Sequence, residues 1–167
     1  MKEKIISEEF GKYMFVSCKR RALSFIELIE GNQNEYQGLL NIKKEDIDIK
    51  ELIIATMWSI FDILQDKKYE RAFNFMHGCY MKEYKLSGNE ADTEMEKISA
   101  RYKEYLKIFR NQDNPNYSIV SSAIAKNISK KPDTEVNPIF NLAITIHLQE
   151  TIIALGEMLK ITDERKN

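Results

Sequence analysis

Residues 49–64 read IKELIIATMWSIFDIL, and their pattern decides the fold. Ten of the thirteen residues from Leu52 to Leu64 are apolar, among them Trp58, the single tryptophan. The polar exceptions, Thr56, Ser59 and Asp62, recur every three residues, so on a helix they form one narrow stripe. A helix apolar around nearly its whole circumference must be enclosed by other elements. The stretch is therefore expected to be the central helix of a bundle. Asp48, with Glu51 three residues on, opens it as an aspartate version of the capping box.

Working outward, residues 65–68 form a link short enough to demand an antiparallel neighbour, expected at 69–86 with Tyr69, Ala72, Phe73, Met76, Tyr80 and Tyr84 on one face. Thr93 and Glu96 read as a second capping box, opening a helix over 93–111. Its inward stripe runs through Met95, Ile98, Tyr102, Tyr105 and Phe109, and Glu94, Lys97, Arg101 and Glu104 form a solvated face. Asn114-Pro115-Asn116 breaks the chain before a shorter helix, 117–129. Asn137 followed by Pro138 caps a last helix, 138–161, with Asn141, Thr145, Gln149, Gly156 and Lys160 as its exposed line. Upstream, Met14, Cys18, Ala22, Phe25, Ile26 and Ile29 step at three and four along a first helix, 8–30, capped at Ser7 and closed by Gly31. Residues 31–47 are the least regular part, an irregular loop long enough to be a candidate functional element. No segment alternates as a half-buried strand does. The fold class is all-α: one domain, 1–167, of about six helices around 49–64.

Six glycines and three prolines in 167 residues suit long helices rather than many turns. The net charge is −1, and the segments either side of Glu83 are each nearly neutral, so charge gives no argument for nucleic acid. The basic clusters, Lys19-Arg20-Arg21 and Lys126 with Lys130-Lys131, are expected to be ordinary solvated surface. Cys18 and Cys79 stand alone and form neither a disulfide framework nor a zinc pattern. MKEKIISEEF at the start has no apolar leader core, and no apolar run approaches the roughly 18 residues of a membrane span. The chain is expected to be cytoplasmic, without a membrane partner.

Catalytic and ligand motifs are sparse. Helical bundles hold di-iron centres through Glu-x-x-His pairs, but His77 has Asn74 at that spacing and His147 has Ile144, so no metal is expected. Phosphate-cradling glycine loops and the nucleophile elbow are missing, and no cofactor is expected. The spacing of Arg71 and His77 in RAFNFMH resembles the Arg-x(4–6)-His element of the metal-independent HEPN ribonucleases. That resemblance, confined to one heptapeptide, implies acid/base work by His77 on a ribose hydroxyl and phosphate binding by Arg71. On an unbroken helix residues six apart diverge by about 120°, so a shared site needs a bend.

Three functions follow as expectations. The first is a non-enzymatic helical adaptor that binds another protein or pairs with itself, as a homodimer for example. The second is a HEPN-like ribonuclease or RNA-binding protein using Arg71 and His77. The third is a small-ligand sensor with a core pocket lined by Met57, Trp58 and His147.

Overall fold

A computed structural model describes residues 2–31, 42–64, 67–110, 117–130 and 137–164. Six α-helices account for most of them: α1 (Lys2–Gly31), α2 (Ile49–Ile63), α3 (Glu70–Glu83), α4 (Asn89–Arg110), α5 (Tyr117–Ile128) and α6 (Pro138–Glu164). The protein is an all-α bundle, as the sequence pattern requires. The expected break at 114–116, and loop residues 32–41, lie outside the described residues.

Helix α2 occupies the centre. Ten consecutive residues, Glu51 to Ile60, are buried, which no amphipathic surface helix allows. Helices α1, α4, α5 and α6 surround it. Its start is fixed by Asp48, whose carboxylate accepts from the backbone N–H of Lys50 (2.9 Å) and Glu51 (3.3 Å). The capping box stops there, because the Glu51 side chain turns away from the cap toward α4. The segment before α2 contains a 3-10 turn at Lys44–Asp46 and is clipped to the end of α5. Ile47 and Ser129 form an isolated antiparallel bridge, Asp48 N–H donates to the Ile128 carbonyl at 2.7 Å, and Lys130 N–H to the Asp46 carbonyl at 2.8 Å.

Helix α3 touches α2 sparsely: Phe61 and Phe73 stack edge to face at 5.1 Å, and Lys50 Nζ lies 4.6 Å from the ring of Tyr84, just past the end of α3. Its long partner is α1. The circumference of α2 is taken by four other helices, so the expected antiparallel pairing of α2 and α3 gives way to α1–α3. Gly11 makes that crossing close. A Cβ placed there would stand 2.4 Å from the Ala72 carbonyl oxygen and 2.6 Å from Phe75 Cβ. Two helix termini also differ from expectation. Helix α1 begins at Lys2, so Ser7 lies inside it rather than capping it. Helix α4 begins at Asn89, so Thr93 is an interior residue whose hydroxyl bonds back to the Asn89 carbonyl at 2.9 Å. The turn between α3 and α4 does this work: Lys85 (φ 54°) and Gly88 (φ 53°) both take left-handed backbone. Leu86 N–H then reaches the Met81 carbonyl at 2.9 Å, closing α3.

Helix α6 is capped as the sequence indicates, with Asn137 Oδ1 accepting from Ile139 N–H at 2.8 Å ahead of Pro138. Part of its expected exposed line turns inward: Gln149 is exposed as expected, but Asn141 is half-buried and Thr145 buried. Thr145 is buried, its hydroxyl 2.7 Å from that of Ser121, and Asn141 Nδ2 donates to Ser122 Oγ at 3.0 Å. Ser121 thus satisfies the Thr145 hydroxyl inside the bundle and Ser122 takes the Asn141 amide, while Asn141 Oδ1 is buried without a partner among the described residues. Ile139, Leu142, Ile146 and Ile153 are left outside. Residues 138–157 form the one helix among the described residues long and apolar enough to cross a membrane, with a mean hydropathy of 1.4. The expectation from uninterrupted apolar runs missed it, because its polar residues are mostly uncharged. A core helix passes the same test, and α6 packs on α2 and α5.

Candidate functional site

The polar stripe of α2 leads to the site. Thr56 and Ser59 are fully buried, and each hydroxyl is committed to its own helix: Thr56 to the Leu52 carbonyl and Ser59 to the Thr56 carbonyl, both at 2.8 Å. Asp62, at the end of the stripe, accepts from the Tyr117 hydroxyl at 3.4 Å. Thr56 has a second partner, His147 of α6, whose Nε2 is 2.9 Å from Oγ1. The only hydroxyl proton of Thr56 goes to Leu52, so the oxygen accepts here and His147 Nε2 carries the hydrogen. That fixes the tautomer and leaves Nδ1 as the unprotonated nitrogen. Burial, reinforced by the Arg21 charge, lowers the His147 pKa to about 4, so the ring is neutral at pH 7. Thr56 serves as the partner of this histidine because the ring points inward.

His147 also forms part of the floor of a groove of about 690 Å³ between α1 and α6. Met14, Phe25, Ile60 and Leu155 make the rest of the floor apolar, and Phe25 lies 5.0 Å from the imidazole, centroid to centroid. Polar groups stand on the walls: Ser17, Arg20, Arg21 and Ser24 from α1, and Glu150 from α6. Arg21, half-buried, makes no ion pair among the described residues, and neither does Glu150. The groove thus offers a greasy floor between a wall bearing Arg20 and Arg21 and a wall bearing Glu150.

The residues expected to form a core pocket are not together. Of Met57, Trp58 and His147, only His147 lines the groove. Trp58 is fully buried and ringed by Tyr105, Phe109 and Tyr117 at 5.4 to 6.0 Å. Its indole N–H has no acceptor among the described residues. Met57 is likewise core. Arg71 and His77 are not together either. Helix α3 runs unbroken through Gly78, so the two diverge: Arg71 is exposed, while His77 packs on Tyr102, with Nε2 3.1 Å from the hydroxyl. Burial lowers the His77 pKa to about 4.

One polar cluster was misread as solvated surface. Glu51 is buried and receives Lys97 Nζ at 2.9 Å and Arg101 Nε at 3.0 Å. Arg101 Nη1 continues to Glu104 at 3.1 Å, and Asn127 Nδ2 links Glu104 and Tyr105, each at 3.1 Å. Burial works against the Arg101 charge, but its bonds to and attraction by Glu51 prevail, and the pKa is raised. The cluster pins α2, α4 and α5 together, and each acid already has a cation. The available signal was Glu51 itself, a lone acid leading into an apolar helix. Among the described residues no group of three or more histidines, cysteines or acids is placed to hold a metal. Compared with known proteins, the chain matches no family model, no curated protein and no solved structure.

Proposed function

We propose that this chain is a non-enzymatic helical interaction protein that works by presenting the α1–α6 face to another polypeptide. One observation carries the reading: large apolar side chains stand in solvent on both rims of the groove. On α6, Leu142 is 57% exposed, Ile146 46% and Ile153 62%, and on α1 Tyr13 is 54% and Leu28 58% exposed. Single exposed leucines need no explanation, but several large apolar side chains exposed beside an apolar groove are what a helix-binding surface presents. Helix α6 adds support, because Thr145, His147 and Thr151 are turned inside while Leu142, Ile146 and Ile153 stay out.

Affinity capture from the native cell, followed by mass measurement of the intact assembly, tests this reading. The chain should be recovered in an assembly larger than one copy. A Leu142→Glu/Ile153→Glu variant of unchanged helicity should be recovered alone. A wild-type chain that is monomeric and retains nothing, or a variant that assembles equally well, overturns it.

A further inference from the structure

We infer that the occupant of the α1–α6 groove is a second copy of this chain, docked about a two-fold axis so that Arg21 of each copy pairs with Glu150 of the other. The inference rests on the interaction reading above and names its partner. The argument is charge self-complementarity. Arg21 and Glu150 line the same groove, yet each lacks an ion-pair partner among the described residues. A half-buried guanidinium over an apolar floor is poorly solvated and gains from a carboxylate brought to it. In a two-fold contact residue i meets j and j meets i, so one geometry satisfies both groups twice. A foreign helix would have to bring an acid and a base in the same register; this chain already carries them.

Two alternatives fit less well. A small ligand would fill the groove but leave Leu142 and Ile153 in water, because the apolar face of α6 continues from Ile139 to Ile153, about 21 Å of helix. A bilayer would have to accept Gln149 and Glu150, which are exposed between Ile146 and Ile153. A second protein surface supplies apolar contact along that length together with a cation for Glu150.

The test is a charge swap on the full chain, read by sedimentation equilibrium and native mass spectrometry. Wild type should be a dimer whose dissociation constant rises with salt. Glu150→Arg, at an exposed position and therefore safe for the fold, should weaken the dimer at least about tenfold, as should Arg21→Glu. The Arg21→Glu/Glu150→Arg double variant should recover most of that loss, with circular dichroism confirming helicity throughout. A dimer indifferent to Glu150→Arg, or single losses that the swap fails to repair, overturns the pairing. A wild-type monomer that still retains another protein overturns the second copy while leaving the interaction reading intact. A monomer that retains nothing, or that floats with lipid vesicles instead, removes both.

Discussion

Helices α4 and α6 both pack on α2, and they finish their surfaces in opposite ways. Helix α4 turns Ile98, Tyr102 and Tyr105 inward, and its outer positions include Glu96, Lys103 and Lys107 in solvent. Even the half-buried charges of α4 are paired, through Glu51. Helix α6 turns Thr145, His147 and Thr151 inward together with Phe140, Ile144 and Leu148, and leaves isoleucine and leucine outside. The hydroxyls and the imidazole of α6 are bonded inside the bundle, so few polar side chains, Gln149 and Glu150 among them, are left on its outer face. The outer surface of α4 carries charge, whereas that of α6 exposes isoleucine and leucine to solvent.

The comparison can be broken most forcefully at Glu51. Glu51→Ala strands Arg101 and Lys97 beside the core and is expected to cost up to about 3 kcal/mol, less than a fully buried pair because both cations are partly exposed. Chemical denaturation would measure it, and a loss under about 1 kcal/mol would show that the cluster is ordinary surface.

Acid probes both sides together. His77 on the α3–α4 side and His147 on the α6 side each have a folded pKa near 4, below the ordinary 6.5. The unfolded chain takes up protons first as pH falls, so stability present above pH 6.5 is lost between 6.5 and 4, by on the order of 3 kcal/mol per histidine. Denaturation at pH 7 and pH 4.5 should show the fall, and His147→Leu should remove about half of the slope. A flat profile would mean that both rings are hydrated.

A smaller effect is expected at Thr56→Val. The shape is kept, but His147 Nε2–H loses its acceptor in a buried site, at a cost of about 1–3 kcal/mol. Least of all, Leu142→Glu and Ile153→Glu should each change the thermodynamic stability of the folded monomer by no more than about 0.5 kcal/mol. A large loss there would mean that the outer face of α6 is covered within the chain, and the contrast with α4 would fail.

The elements were legible where apolar spacing decides them. The burial of α2, the Asp48 and Asn137 caps and the aromatic seam of Tyr80, Tyr102 and Tyr105 all follow from the order of residues. What failed was the assumption that polar means outside. Thr145 and Asn141 went inward because Ser121 and Ser122 happen to face them, and Glu51 because two cations stand one turn apart on α4. Those partners are distant in sequence, and periodicity within one helix carries no record of them. The groove was illegible for the same reason. Its His147 was singled out, but its walls come from α1, more than a hundred residues away.

The bridge between Ile47 and Ser129 bears on the order of folding. It joins positions about 80 residues apart, and closing a free loop of that length costs on the order of 4 kcal/mol. Two or three backbone hydrogen bonds do not recover that sum, so the clip forms only after α2 to α5 have already condensed around Trp58. It is a latch set late, and substitutions in it should accelerate unfolding while leaving the folding rate nearly untouched.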